Sequence, residues 1–234
     1  AAARTAYQSL ISKYPQSELV PSAYMKTAIV DYSQGKKDLA LEDYKAVVKK
    51  YPGSKEEKEA IDALKEIYVE VGRANEYFDF LKNNTNIQVS TYEQDSLTYQ
   101  SAENVYNSGD CNRAIALYAS YIQQFPGTYK TSEAHWKKAQ CHLKVKDYAS
   151  AFPDLEAVIQ SKYNKYYESS LLKTSGIAYF ELKNYDKALD YYKQLYVASS
   201  KQETTYGAMT GMLASAVKLN KNEEVIELAD QLIN

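Results

Sequence analysis

The chain has 234 residues, of which 45% are hydrophobic and 25% are charged, so it is long and apolar enough to bury a core. Lysine and arginine number 28 against 30 acidic residues, and a net charge of −2 gives no electrostatic case for a nucleic-acid partner. No apolar run approaches the roughly 18 residues that a membrane span needs, so we expect no transmembrane segment in this stretch.

Residues 22–54 form the unit that the rest of the chain repeats. Apolar and small residues recur at three- and four-residue steps on both sides of Gly35, which indicates two amphipathic helices joined by a short turn. Gly35 can adopt a positive φ and end the first helix, while Pro52 and Gly53 end the second. The unit is therefore predicted to be a helical hairpin.

The same pattern returns every 37 residues. Steps of 37 from Gly35 reach polar breaks between apolar segments at Gly72, Gly109, Lys146, Lys183 and Asn220. Small residues prevail seven positions before the break (Ala28, Ala102, Ala139, Gly176) and five positions after it (Ala40, Ala114, Ala151, Ala188). Two helices cross closely only where side chains are small, so these columns predict helix contacts. Such self-similarity indicates a stacked helical array.

At these residues the chain resembles the tetratricopeptide repeat family. The likeness rests on the small residues on either side of the break and on the turn glycines. It rests also on an aromatic residue four positions after the second set of small residues (Tyr44, Tyr118, Tyr192) and on a proline that ends the second helix (Pro15, Pro52, Pro126). The resemblance covers essentially the whole chain. It implies an all-α fold, a right-handed superhelical solenoid of antiparallel helix pairs.

The 37-residue period and the helix endings YPQS, YPGS and FPGT are similar to a bacterial cell-envelope branch of that family. This branch contains the periplasmic repeat proteins of the Tol-Pal system and of outer-membrane β-barrel assembly. The resemblance implies a periplasmic or envelope-associated protein, with a cytoplasmic location as the alternative.

We expect one continuous array. Residues 1–17 match the second helix of an incomplete repeat, and the repeats that follow span residues 21–54, 56–94, 95–128, 132–166, 168–202 and 203–234. We therefore expect a fragment of a longer chain, in which the lack of a signal peptide says nothing about location.

Two places depart from the pattern. The repeat at 56–94 is degenerate, because Lys65 and Tyr77 replace small residues and residues 83–94 are polar and rich in turn formers. This stretch predicts a long loop, with a hinge or domain boundary as the alternative. Pro153 lies about two turns into a second helix, which it is expected to kink or to delay.

Little in the sequence indicates catalysis. The sequence supports no pairing of a nucleophile with a general base, and no predicted strand precedes a glycine-rich phosphate-binding loop. Acidic pairs such as Glu56 and Glu57 fit a solvated helix face. His135 and His142 lie near Cys141, but none of the common zinc spacings is present. We predict no enzyme activity, no cofactor and no metal.

Cys111 and Cys141 belong to neighbouring positions in such an array. Two free, packed thiols are the favoured interpretation, and a disulfide is the alternative if the protein is exported.

In the family, the first helix of each repeat lines a concave face that binds partners. The resemblance implies that the candidate binding residues are Met25, Ile29, Tyr32, Tyr99, Glu103, Tyr106, Trp136, Gln140, Lys173 and Ile177. Equivalent positions elsewhere are Asp62, Glu66, Val69, Leu143, Phe180, Thr210, Ala214 and Val217. Large groups at Met25, Tyr99 and Trp136 suit an interface, although packing against the next first helix would explain them equally well.

The resemblance also excludes one kind of partner. Some relatives hold the carboxy-terminal tails of chaperones in a clamp of lysine and asparagine on the first helices. Here the matching places hold Met25 with Ile29 and Asp62 with Glu66, so that clamp is absent.

Tyrosine is unusually frequent, with 24 residues. As structure, these rings would fill space between helices and keep their hydroxyls at the rim. As function, they would stack on sugars or bind extended peptides.

The predicted function is a non-enzymatic scaffold that binds a protein or peptide on its concave face in a cell-envelope assembly. The alternative is a structural spacer or self-associating module, and glycan binding ranks lowest.

Overall fold

The computed structural model describes residues 2–161 and 164–233. Within these residues the chain forms thirteen α-helices and no strands, which confirms the all-α repeat fold. In chain order they are α1 (Ala2–Lys13), α2 (Val20–Ser33), α3 (Lys37–Lys50), α4 (Lys55–Glu70), α5 (Ala74–Asn84), α6 (Thr91–Asn107), α7 (Cys111–Gln124), α8 (Thr131–Lys144), α9 (Tyr148–Gln160), α10 (Tyr167–Gly176), α11 (Tyr185–Ala198), α12 (Gln202–Lys218) and α13 (Asn222–Ile233). A π-helical turn, Ile177–Glu181, follows α10 directly.

The helices group into two compact units. The N-terminal unit, Ala1–Gly109, contains α1 to α6, and the C-terminal unit, Asp110–Asn234, contains α7 to α13. Consecutive helices pack against each other within each unit. Among the described helices, none combines the length and the apolar character needed to cross a bilayer.

The 37-residue period marks the turns between first and second helices. All six predicted positions have a left-handed backbone, with φ of 75° at Gly35, 76° at Gly72, 88° at Gly109, 60° at Lys146, 53° at Lys183 and 56° at Asn220. The last three are not glycine and adopt a conformation that side chains disfavour. The turn geometry therefore belongs to the repeat and persists when glycine is absent.

The small-residue columns lie at the helix contacts. Ala28, Ala40, Ala102, Ala114, Ala139, Ala151 and Ala188 are all 0% exposed. Around them the N-terminal unit packs a core that includes Leu41 and Leu64, and the C-terminal unit packs one that includes Leu155, Leu171 and Leu195. No hairpin buries its apolar face alone, which is the expected behaviour of a stacked array.

The degenerate repeat has a shorter loop than its sequence suggests. Helix α5 continues to Asn84 and α6 already begins at Thr91, so only residues 85–90 connect them. The Ser90 side chain accepts a hydrogen bond from the backbone N–H of Glu93 and caps α6. The polar residues after Ser90 are therefore the first turn of a helix.

Pro153 does not delay its helix. Helix α9 begins at Tyr148, because the Asp147 side chain accepts the backbone N–H of Ser150 and fixes the first turn upstream of the proline. The expectation of a late start was wrong.

The tyrosines fill space between helices, and several hydroxyls bridge neighbouring repeats. The rings of Tyr68, Tyr118 and Tyr121 are fully buried. At the rim, Tyr32 donates to Glu70 at 2.9 Å and Tyr191 donates to Glu156 at 2.6 Å. These contacts confirm the structural interpretation at these positions.

Candidate functional site

Three of the candidate binding residues are buried. Met25 and Tyr99 are each 8% exposed and Ile177 is 6% exposed. Met25 joins the core of the N-terminal unit, and Ile177 joins that of the C-terminal unit. They cannot be first contacts for a partner, so the expectation for these three is corrected: they pack inside the array.

The first-helix face of the N-terminal unit, formed by α2, α4 and α6, is apolar at one edge and acidic beside it. Ile29 and Tyr32 on α2 are 49% and 42% exposed, and the Tyr32 hydroxyl donates to Glu70 on α4. This hydrogen bond, with burial and the charges of Glu70 and Glu66, raises the pKa of Tyr32. Lys37 pairs with Glu70 at 2.9 Å and lowers the pKa of that carboxyl.

Glu103 and Tyr106 lie on α6 of the same unit, and both are half-buried. Directly after Glu103 on α6, the side-chain amide of Asn104 donates to the backbone carbonyl of Val69 at 3.3 Å. This bond joins α6 to α4, so the first helices of this unit lie side by side.

In the C-terminal unit, Trp136 is held in a stack. Its ring lies 5.1 Å from that of Tyr166, with an interplanar angle of 17°, and the Tyr166 hydroxyl donates to Glu133 one turn earlier on α8. Burial works to raise the pKa of Glu133, but the hydrogen bonds from Tyr166 and Lys165 outweigh it and the pKa is lowered. The stack fixes the orientation of the half-buried Trp136 ring.

Lys173 on α10 lies over the same tryptophan. Its Nζ is 6.0 Å from the centroid of the Trp136 ring, a cation–π distance. Within the part of the chain that the structure describes, Lys173 has no carboxylate at ion-pair distance, unlike Lys138, Lys187 and Lys193. Gln140, one turn beyond Trp136 on α8, is half-buried, and its Nε2 has no hydrogen-bond partner among the described residues. The face thus presents a cation without a carboxylate partner among the described residues, whereas the Gln140 Nε2 is buried and is not offered to a partner.

The π-helical turn carries the exposed aromatic residue Phe180. The N–H of Leu182 donates to the carbonyl of Ile177 five residues earlier, at 3.0 Å, which widens the helix at its end. Phe180 is 63% exposed, against 5% for Val69 at the equivalent position of another repeat. Its ring meets that of Tyr179 edge-on at 4.8 Å.

Phe180 borders a cavity of about 300 Å³ between the π-helical turn and α12. Tyr179 and Tyr192 form other walls, and Gly207 and Gly211 lie on the α12 side. A Cβ on Gly211 would lie 2.5 Å from the Tyr192 ring, so any other residue there would have to displace that ring. Sequence analysis missed both glycines, although two glycines four residues apart within a helix were a visible signal of close approach.

The thiols and histidines do not form a further site. Cys111 and Cys141 are free and buried, and they interact with each other at the contact of α7 with α8. Burial, then the hydrogen bond with Cys111, raises the pKa of Cys141 to about 12. His135 Nδ1 lies 2.8 Å from Asp154 and His142 Nδ1 lies 3.2 Å from Asp147. The described residues contain no cluster of three or more potential metal ligands.

Solved structures with similar helical arrays share little sequence with this chain. They include the C-terminal part of a TPR repeat-containing protein from Cytophaga hutchinsonii, with 16% identity over 99% of this chain and 88% of that one and a TM-score of 0.43. PilF from Pseudomonas aeruginosa has 15% identity over 91% of this chain and 90% of that one, with a TM-score of 0.42. YrrB, described as a TPR protein with an unusual peptide-binding site, has 12% identity over 98% and 92%, with a TM-score of 0.43.

Family models give the sequence evidence. No curated protein matches the sequence. Two models described as tetratricopeptide repeat do match, one at residues 1–17, 22–54 and 170–197 and the other at residues 99–166. Together they cover more than half of the chain, and the left-handed turns lie at the period that the repeats predict. The chain belongs to the tetratricopeptide repeat family.

Proposed function

We propose that this chain is a non-catalytic scaffold that binds an extended segment of a partner protein on the first-helix face of its C-terminal unit, the face formed by α8, α10 with its π-helical turn, and α12. Tetratricopeptide repeat proteins are generally scaffolds for protein–protein interaction, and both family models that match this chain are tetratricopeptide repeat models. One observation carries the proposal: Lys173, without a carboxylate partner among the described residues, lies over Trp136 on the helix that continues to the exposed Phe180.

Binding at this face needs little rearrangement. Tyr166 already holds the Trp136 ring, and Tyr179 contacts Phe180, so a partner would meet oriented rings. Because ordering side chains costs free energy on association, a preformed aromatic surface retains more of its contact energy as affinity. The small residues of α12, Gly207 and Thr210 among them, leave room for a backbone to approach.

A displayed library of random peptides tests this proposal. The bait is the full 234-residue chain, beside a double variant, Lys173→Gln with Phe180→Ala. A control variant, Lys221→Gln with Val197→Ala, removes one lysine charge and shortens one exposed apolar side chain at other sites: Lys221 forms an exposed ion pair with Asp186, and Val197 is 84% exposed. We expect peptides enriched on the wild type and the control to be lost on the double variant. No enrichment, or equal enrichment on all three, would overturn the proposal.

We further propose that the scaffold works in a bacterial cell envelope. The 37-residue period and the helix endings YPQS, YPGS and FPGT support this assignment through their resemblance to envelope members of the family. Fractionation of the native cells, followed by immunoblotting, should place the protein with periplasmic or envelope markers. Recovery with cytosolic markers alone would refute the assignment.

Self-association is a second candidate function, favoured by the exposed apolar residues of α13. Ile226 is 64% exposed and Ile233 is 82% exposed. These two residues lie seven positions apart and so on the same side of α13, and an exposed apolar helix face favours association between copies. Light scattering over a concentration series should then show a rising mass for the wild type and a constant mass for Ile226→Lys.

A further inference from the structure

The cavity beside the π-helical turn has the size and lining of a receptor for one aromatic side chain. Its volume of about 300 Å³ lies at the lower end of the range of ligand pockets, which suits a single large side chain. Three of its walls are the rings of Tyr179, Phe180 and Tyr192, which offer edges and faces to an incoming ring.

Two glycines lie where α12 borders the cavity, for different reasons. Gly211 makes room for the ring of Tyr192, with which its Cβ would collide, whereas Gly207 faces open space. Glycine in a helix interior costs roughly 1 kcal/mol relative to alanine. Gly207 has no atom within 4 Å of where its Cβ would lie, so packing inside the chain does not require glycine there.

The charge beside the cavity specifies a second feature of the ligand. Lys173 has no carboxylate partner among the described residues, and it lies on the same helix seven residues before Phe180. At a rise of 1.5 Å per residue, this separation is about 10 Å, which an extended peptide spans with about three residues. A carboxylate about three residues from the aromatic anchor would then lie level with Lys173 along the helix axis, within the range that its long, flexible side chain can sweep.

We propose that the C-terminal unit binds an acidic extended peptide that inserts an aromatic side chain into this cavity and sets a carboxylate, about three residues away, on Lys173. The inference rests on the proposed function and names the ligand class for the same face. The cavity supplies the apolar contact energy, and Lys173 selects peptides by charge.

Synthetic peptides test the two contacts separately. The parent peptide carries one phenylalanine and one glutamate three residues apart in a glycine–serine background, labelled for fluorescence anisotropy. Matched peptides replace the phenylalanine by alanine, replace the glutamate by glutamine, or change the spacing. We expect the alanine peptide to lose binding by more than about tenfold and the glutamine peptide by about threefold at low salt. The glutamine peptide should also lose its salt dependence.

Variants of the full chain test the location. Gly207→Leu places a side chain at the edge of the cavity, at a position where a Cβ meets no atom within 4 Å, and should maintain or raise Tm because leucine favours helix, while it abolishes binding. Gln231→Leu adds a leucine to the exposed surface of α13 as a control and should bind normally. Lys173→Gln should reduce the affinity for the glutamate peptide to that for the glutamine peptide, and Lys221→Gln should not.

The outcomes separate this inference from the proposed function. Unchanged binding by Gly207→Leu, or equal affinity for the glutamate and glutamine peptides, would overturn the inference. If library peptides then still depended on the face of Trp136 and Lys173, the proposed function would stand without it.

Discussion

In the N-terminal unit a glycine occupies every left-handed turn between first and second helices, whereas the C-terminal unit places Lys146, Lys183 and Asn220 in the same conformation. The residue after the turn differs as well. In the C-terminal unit the side chains of Asp110, Asp147 and Asn184 cap the next helix, but Lys36 and Arg73 in the N-terminal unit make no such bond. A capping hydrogen bond stabilises the first turn of the helix that follows, and it occurs after the glycine turn at Gly109 as well as after those at Lys146 and Lys183. The comparison shows that the repeat requires a geometry, which different residues can satisfy.

The faces of the two units also differ in charge. The first helices of the N-terminal unit present Asp62, Glu66 and Glu70 beside Ile29 and Tyr32. Those of the C-terminal unit present a lysine among aromatic rings. One backbone pattern thus supports two chemically distinct surfaces, because the residues that fix the helix contacts are not the ones that face outward.

The largest effect should come from the cores, where the two units are alike. Leu64 and Leu171 are both 0% exposed. Substitution of either by alanine should cost about 3 kcal/mol of unfolding free energy, because each leaves a cavity. Hydrogen exchange should show lost protection in α4 for Leu64→Ala and in α10 for Leu171→Ala, while Val197→Ala on the surface changes little. A cost below about 1 kcal/mol at one site would show that the units are packed differently.

Replacement of aspartate by asparagine at one repeat position should change the free energy of unfolding in opposite directions in the two units. Asp43 and Asp154 are separated by three periods, yet Asp154 accepts bonds from His135 at 2.8 Å and Lys138 at 3.2 Å, whereas Asp43 has buried Asp31 near by. Burial and the charge of Asp31 raise the pKa of Asp43 to about 6. At pH 7.5 we expect Asp154→Asn to destabilise by about 1–2 kcal/mol and Asp43→Asn to stabilise by about 1 kcal/mol after screening.

The pH dependence of the Asp43→Asn effect tests whether ionisation of Asp43 is its cause. The folded pKa of Asp43 lies above its ordinary value of 3.8, so its protonated form stabilises the fold, and this contribution is lost as pH rises to about 6. The gain from Asp43→Asn should therefore vanish at pH 3.5 and be complete above pH 6. Urea denaturation across this range gives the difference directly, and a gain independent of pH would exclude ionisation as its cause.

Substitutions at the left-handed turns should give smaller changes in the free energy of unfolding, graded by how well each residue tolerates a positive φ. Lys183→Gly removes a side chain from the left-handed region and should stabilise by about 1 kcal/mol, and Asn220→Gly by about 0.5, because asparagine tolerates this conformation better. Gly35→Lys should cost about 1 kcal/mol. Lys36→Gly, at an ordinary φ of −86°, is the control and should not stabilise. Equal responses at Lys183 and Lys36 would mean that φ does not set the effect.

The sequence predicted the repeat well, because the 37-residue period of its residue pattern matches the spacing of the left-handed turns in the backbone. Steps of 37 residues located even the turns at Lys183 and Asn220, where no glycine marks them. It did not separate Met25 and Tyr99 from exposed positions, since their burial depends on how neighbouring helices approach. The π-helical turn was equally hidden, because its bond from Leu182 to Ile177 competes closely with ordinary helical bonds and packing decides between them.

The smallest expected effect is the difference in stability cost between removing a tyrosine hydroxyl in one unit and removing one in the other. Tyr191 is half-buried, and its hydroxyl donates at 2.6 Å to Glu156, which also accepts from Lys187. Burial first, then this hydrogen bond, raises the pKa of Tyr191. Tyr32, on a first helix and not at the equivalent repeat position, makes a hydrogen bond of the same kind to Glu70 at 2.9 Å but is 42% exposed, so water replaces its partner readily.

Removal of each hydroxyl measures what burial adds to the same contact. Tyr191→Phe should cost about 1 kcal/mol, because it leaves a partly buried carboxylate short of a donor, and Tyr32→Phe about 0.3 kcal/mol. Paired urea denaturation curves resolve this difference. An equal cost at both sites would mean that the hydrogen bond between repeats has the same strength in water as at a covered rim, and that burial does not distinguish the two units.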